Sequence, residues 1–328
     1  MTIVTGVTVR VPAKINLQLA VGPPRADGYH SLVTVFHAVS LFDEVIAESA
    51  GRDGVTVTGE GAARVPVGPD NLALRAVAAL RQAVAGPAAS RRASARVDPA
   101  GVHITIAKRI PVAAGLAGGS ADAAAALVAC NELWGGRLSQ PHLLEAAARV
   151  GSDVAFALLG GTAVGRGRGE RLTPALAPAT QYHWVLAFAD GHLSTPEVYA
   201  ALDRRRATGA GGTGGMARGE PAEPDLDAAL MSALRSGEAR LVGQALSNDL
   251  QPAALSLFPS LRKTLAAGLE LGALGALVAG SGPTCVFLAA SADRALDLAV
   301  SLSGAGVCRS VARVTGPVAG AAVVPPPK

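Results

Sequence analysis

Five short stretches carry residue types that can do chemistry. The most informative is Pro111-Val-Ala-Ala-Gly-Leu-Ala-Gly-Gly-Ser-Ala-Asp122, a glycine-rich turn running into an alanine-rich helix. Gly115, Gly118 and Gly119 let the backbone bend tightly and approach a ligand closely. Ser120 and Asp122 stand at the helix start, where unpaired N–H groups and the positive end of the helix dipole favour an anion. The stretch therefore reads as a phosphate cradle. It holds no lysine, so it is not GxxxxGK[ST], and a phosphate-side cation must come from elsewhere. Lys14 is one candidate. Only four of the 29 basic residues are lysines (Lys14, Lys108, Lys263, Lys328). A lysine among apolar residues, in a chain that habitually uses arginine, is either a compact point charge kept for function or a strand lysine reaching solvent.

Three weaker signals accompany these. Tyr29-His30 follows the Asp27-Gly28 turn and could stack on and hydrogen-bond a heteroaromatic ring, or be an ordinary turn with a satisfied histidine. Asp153 in Gly151-Ser-Asp is either a general base or a helix cap. Gly280-Ser-Gly-Pro-Thr284 is either a second wall of a phosphate site or a plain hairpin.

The elements that must position these residues are mixed. Thr8–Val11, Ile15–Val21, Leu32–Leu41, Val55–Thr58 and Val102–Ile106 read as strands. Asp70 is expected to cap a helix through Val84, and Ser139 to open one that Gly151 ends. In the second half, Trp184–Phe188 reads as a strand. Thr195-Pro-Glu197 reads as a helix start, with threonine as cap. Helices follow near Asp225–Leu234, Ala239–Leu246, Pro259–Leu271 and Ala292–Leu302. Ala207–Glu223 reads as a mobile loop and Gly316–Lys328 as a frayed tail. Strands and helices do not alternate strictly, which argues α+β over a doubly wound sheet.

Composition narrows the class. Half of the 328 residues are apolar and 16% are charged, enough to bury a sizeable core. The net charge of +4 is not gathered in one run, so a nucleic-acid surface is disfavoured. Cys130, Cys285 and Cys308 form no CxxC pair, which disfavours a disulfide framework or structural zinc and suits a reducing cytoplasm. No basic-then-apolar leader is apparent at Met1–Gly6. The uncharged run Leu271–Ala292 could span a membrane by length, but Gly280–Thr284 in its middle favours strand, turn, strand.

Taken together, Ala13-Lys-Ile-Asn-Leu17, Ala26-Asp-Gly-Tyr-His30, Gly115–Ala123, Gly151-Ser-Asp153 and Gly280-Ser-Gly282 match the order and spacing of the galactokinase–homoserine kinase–mevalonate kinase superfamily. From about Val9 to Val314 the chain resembles the branch that phosphorylates cytidine diphospho-methylerythritol in non-mevalonate isoprenoid biosynthesis. Gly161–Glu170 is similar to the stretch following that branch's catalytic aspartate.

The resemblance implies an α+β two-domain kinase fold. A ribosomal-S5-like ATP-binding domain would cover 1–166 and a ferredoxin-like substrate-side domain 167–328. It implies ATP as phosphoryl donor with Mg²⁺, no protein metal cage, a small-molecule substrate, and a cytoplasmic monomer or weak homodimer away from membranes and nucleic acid. Asp153 would be the base and Lys14 its partner. Pro111, Ala113, Gly115, Leu116, Ala117, Gly118, Gly119, Ser120 and Ala121 would cradle ATP. Tyr29 and Tyr199 would sandwich the cytosine, His30 would read its edge, and Asn16, Thr195, Gly280, Ser281 and Gly282 would complete the substrate side. Two departures stand out: Ala155 where the family often has proline, and Ala117 where many members have a third glycine. The alternatives are a homoserine or sugar kinase of the same superfamily, and a nucleotide-binding regulator without catalysis. The first gives no reason for Tyr29, His30 and Tyr199. The second gives none for keeping Lys14 and Asp153.

Overall fold

Pro12 interrupts an otherwise continuous apolar and β-branched run, and the strand absorbs it instead of ending. Gly6–Pro24 is one strand, β1, antiparallel to β2 (His30–Ser49), with register shifts at Pro12/Ala13 and Asn16/Gln18. Such bulges bend a strand and re-aim its side chains. Lys14 and Asn16 fall between the two, while Ala13, Ile15 and Leu17 point into the core with no exposure.

The computed structural model describes residues 6–85, 101–136, 138–176, 178, 180–208 and 223–325. After β2 come β3 (Gly54–Gly59), α1 (Leu72–Ala85), β4 (Val102–Lys108), α2 (Gly118–Leu133), α3 (Gln140–Val150), α4 (Ser152–Leu159), β5 (Thr162–Gly167) and β6 (Arg171–Pro174). Next are β7 (Tyr182–Phe188), α5 (Thr195–Ala207), α6 (Ala228–Ser236), α7 (Ala239–Gln244), β8 (Ser247–Asn248), α8 (Gln251–Leu257) and α9 (Leu261–Glu270). The chain ends with β9 (Gly275–Val278), β10 (Cys285–Ala289), α10 (Ala292–Gly304), β11 (Ser310–Gly316) and β12 (Ala322–Val323).

Two sheets result. The larger has the order β12-β1-β2-β4-β3, with β5 and β6 continuing from the other half of β2 and β8 parallel to β1. β2 is long enough to serve both partners: 44–49 pair with β4 and 32–37 with β5. The second sheet is antiparallel with the order β11-β7-β10-β9. In chain order that is fourth, first, third, second, with helices crossing between β7 and β9 and α10 crossing between β10 and β11. This is the split βαβ pattern of ferredoxin-like folds. The alanines of α2 let it lie buried on most sides, against β1 and β2 and against α1, α3 and α4.

Three local expectations change. Asn71, not Asp70, caps α1: its Oδ1 accepts from Ala73 N–H at 2.8 Å, and its amide donates to Pro66 O at 2.6 Å. Ser194 occupies the cap position of α5 and Thr195 is already helical, which frees its hydroxyl for another partner. The tail is not frayed through Pro325. β12 pairs with Val9 and Arg10, and Ala321 N–H donates to Ala157 O at 2.9 Å. Most of the expected loop, 209–222, and the last residues, 326–328, lie outside the described residues.

Candidate active site

Lys14 and Asn16 project from β1 into a cavity of about 290 Å³ that Asp153 also lines. Asp153 stands in the first turn of α4, which Gly151 separates from α3 with an extended backbone. Lys14 Nζ lies 3.6 Å from Asp153 Oδ2 and donates to Asn16 Oδ1 at 2.8 Å. Asn16 Nδ2 donates to Thr34 Oγ1 at 2.8 Å, and Thr34 Oγ1 donates to Gln18 O at 2.6 Å. An ammonium can only donate, so it fixes which way the Asn16 amide faces. The relay holds Lys14 in one place beside a carboxylate that solvent and ligand can still reach, its side chain 32% exposed.

The opposite wall is the glycine loop. The first helical bond of α2 runs from Ala121 N–H to Ala117 O at 2.9 Å, so the N–H groups of Gly118, Gly119 and Ser120 precede it. Ala113, Gly115, Ala117, Gly118, Gly119 and Ser120 line the cavity, as do Gly280 and Ser281. Gly115 has φ +79°, and a Cβ there would lie 2.1 Å from the Ala279 carbonyl oxygen. A Cβ on Gly280 would lie 3.2 Å from Gly115 O. The two glycine turns therefore close on each other backbone to backbone. Thr195 Oγ1 and Ser281 Oγ, 2.9 Å apart, tie the second turn to α5.

Ala117 is in the left-handed region (φ 58°, ψ 34°) at the cap of α2. That explains why a third glycine suits this position. An L-residue there costs about 1–2 kcal/mol, while glycine loosens the unfolded chain by about 0.4–1 kcal/mol. Ala117→Gly is therefore expected to hold or raise the thermal unfolding midpoint, and the β-branched Ala117→Val to lower it, as calorimetry would show.

Beyond Asp153 the cleft widens into a second cavity of about 570 Å³, lined by Tyr29, His30, Arg168, Thr195, Tyr199 and Asp203 among others. Asp153, Arg168, Thr195 and Tyr199 border both cavities. Tyr29 is 56% exposed, with the Arg168 guanidinium 4.9 Å from its ring centroid. The His30 and Tyr199 rings lie 5.0 Å apart, tilted by 35°. His30 Nε2 is 3.0 Å from Asp203 Oδ1. Burial, reinforced by the charge of Asp153, pushes the Tyr199 hydroxyl up, so it stays neutral. On the far side of the glycine loop, a cavity of about 260 Å³ shares Leu72, Ala113, Gly118 and Gly119 with the first and adds Val65, Pro66, Asn71 and Val112.

Beneath the loop lies a buried ion triad. Lys108 Nζ bonds Asp43 Oδ2 at 2.5 Å and Asp122 Oδ2 at 2.7 Å, and Asp43 Oδ1 accepts from Arg109 and Ile110 N–H at 2.5 and 2.8 Å. Asp43 thus anchors the chain where it leaves β4 for the loop. Burial, with Asp43 adding to it, pushes the Asp122 carboxyl up to about 7 despite the pull of Lys108. The two carboxylates more than offset the burial that would lower Lys108.

The structure thus brings Lys14, Asn16, Asp153, the loop residues, Gly280, Ser281, Thr195 and Tyr199 around one cavity, and Tyr29 and His30 around its neighbour. Leu116 and Ala121 turn into the core, although Leu116 O accepts from Lys14 N–H at 3.3 Å. Pro111 lines a separate recess behind the loop, and Gly282 packs against Val278 and Leu193. Thr34, Arg168, Asp203 and the triad's Asp43 were not singled out by sequence. Asp203 had a local signal, four residues beyond Tyr199 on one helix. Among the described residues, no three His, Cys, Asp or Glu side chains gather to hold a metal, and no helix is long and apolar enough to cross a membrane.

Comparison with known proteins agrees with this fold. Residues 71–161 match the GHMP kinases N terminal domain and residues 230–308 the GHMP kinases C terminal model. The chain is 54% identical to 4-diphosphocytidyl-2-C-methyl-D-erythritol kinase of Thermobifida fusca, covering 98% of this chain and 99% of that one. It is 53% identical to the enzyme of that name from Mycolicibacterium smegmatis, over 98% and 93%. A crystal structure of 4-(cytidine 5'-diphospho)-2C-methyl-D-erythritol kinase superposes with a TM-score of 0.70 at 34% identity, covering 94% of this chain and 98% of that one. Homoserine kinase from Cytophaga hutchinsonii reaches the same TM-score at 18% identity, over 99% of each chain, and so shares the fold alone. With near-complete coverage at half identity and the kinase's own two domains in order, the chain belongs to the 4-diphosphocytidyl-2-C-methyl-D-erythritol kinase family, an ATP-dependent branch of the GHMP kinases.

Proposed function

We propose that this chain transfers the γ-phosphoryl group of ATP to the tertiary 2-hydroxyl of 4-diphosphocytidyl-2-C-methyl-D-erythritol. The observation that carries the reading is the continuity of the cleft. An aromatic cavity and a glycine-loop cavity meet at Asp153, which Lys14 faces from the glycine-loop side. Cytosine would lie against Tyr29 and Tyr199 with His30 at its edge. Arg168 borders both cavities, so it is placed for the substrate's diphosphate, a task that suits a guanidinium. The methylerythritol hydroxyl would then reach Asp153, with Asn16 beside it.

ATP would enter from the other side. Its phosphates would meet the N–H groups at the start of α2, and its base would take the cavity of Val65, Pro66, Asn71 and Leu72. Mg²⁺ would be held chiefly by the nucleotide phosphates, with Ser120 and Asp153 among the oxygen-bearing side chains that line the glycine-loop cavity. When bound, the ion neutralises charge on the phosphates. Phosphoryl transfer is dominated by positioning, and the hydroxyl proton leaves late, so a modest carboxylate base suffices. Asp153 takes that proton, and Lys14 orients Asp153 and faces the transferring group. The reading includes a cytoplasmic monomer or weak homodimer acting on small molecules.

An ADP-release assay with the cytidine substrate, homoserine and mevalonate tests this. Turnover is expected with the cytidine diphospho-alcohol only. Turnover with homoserine or mevalonate instead, or with none of the three, overturns the reading.

A further inference from the structure

We propose that Asp203 is a positioning residue that makes this kinase choose cytosine over uracil, acting through His30. The proposal rests on the cytidine reading above. Asp203 stands one helical turn beyond Tyr199, so both side chains of α5 reach the same cavity as His30. Its Oδ1 lies 3.0 Å from His30 Nε2. An ionised carboxylate accepts only, so the hydrogen of this contact sits on Nε2. His30 is 91% buried against the Tyr199 ring, so its imidazole has little freedom to turn away. A neutral imidazole with hydrogen on Nε2 carries a lone pair on Nδ1, the ring atom left to meet a base.

Cytosine presents an amino donor at C4 where uracil presents a carbonyl oxygen. A fixed acceptor pairs with the first and is repelled by the second. Selection against a base whose polar group is left unpaired exceeds what stacking alone provides, because both bases offer similar faces to Tyr29 and Tyr199. Asp203 touches no reacting atom in this scheme. It sets which ring nitrogen of His30 carries the hydrogen.

Asp203→Asn tests the idea, because an amide can accept or donate and so permits either tautomer. The readout is kcat/KM for the cytidine diphospho-alcohol over that for its uridine counterpart. The ratio is expected to fall about tenfold or more in Asp203→Asn and to be largely restored in Asp203→Glu. An unchanged ratio, with both substrates losing equally, marks a merely structural role and overturns the proposal. Nitrogen-15 imidazole spectra of the wild-type protein give a second test that needs no variant. Hydrogen on Nε2 of His30 is expected, and hydrogen on Nδ1 alone overturns it. If the wild type turns over neither substrate, the parent reading fails instead.

Discussion

Asp153→Asn is expected to lower kcat by roughly 10²- to 10⁴-fold, the usual worth of a positioned general base. The change is nearly isosteric, so what is lost is the proton acceptor and the negative charge facing Lys14 at 3.6 Å. Lys14 keeps Asn16 as a partner at 2.8 Å, so the cavity wall should stay in place. The cavity of Tyr29, His30 and Tyr199, proposed above for the cytidine, is spared. Titration calorimetry with a cytidine nucleotide should therefore give an affinity close to wild type while ADP release collapses. A variant that turns over at near-normal rate would falsify the assignment of Asp153 as base.

Lys108→Met is expected to cost about 3–5 kcal/mol of stability, because it leaves two buried carboxylates without their cation. Asp43 keeps its two backbone donors, but Asp122 loses the Lys108 donor to its Oδ2, and its Oδ1 is already buried and unbonded. The deficit should depend on pH in a definite direction. Asp122 is pushed up to about 7 in the folded protein, from an ordinary value near 3.8. The native state thus binds more protons than the unfolded chain between those values. The stability this gives is full below about 4 and is lost as pH rises through about 7. Without Lys108, Asp122 loses the pull that holds it down and takes a proton more readily. Urea unfolding should then show a smaller deficit near pH 5 than near pH 8. A deficit independent of pH would mean that lost packing, not uncompensated charge, dominates.

How much of this was legible depended on sequence distance. The glycine loop is legible because its chemistry is local, a turn before a helix, whereas Lys14 and Asp153 each keep a plain structural reading until the family resemblance joins them. Contacts between distant residues carry no such local signal. His30 and Asp203 are 173 residues apart, Lys108 and Asp43 are 65 apart, and no periodicity links them. The bulges of β1 were hidden because Pro12 reads locally as a strand break, whereas pairing with β2 overrides it. β12 was hidden for the converse reason. Two residues among prolines and glycines have no strand signal of their own, and only the edge of β1 makes them one. Asn71 and Asp70 both suit a cap by type, and the turn geometry alone separates them.

The meeting of Gly115 with Ala279 bears on how such an enzyme can change its substrate over evolutionary time. Gly115 belongs to the segment matching the N-terminal family model and Ala279 to that matching the C-terminal one. The proposed seat of the nucleotide phosphates is therefore common property of both halves. Exchanging one half for that of a relative would have to carry the matching turn with it or lose the donor site. Residues 28–30 and helix α5 lie outside both matched segments, although His30 meets Tyr199 and Asp203 and so ties the two to each other. They can diversify toward new acceptors while the seam between the halves is held fixed.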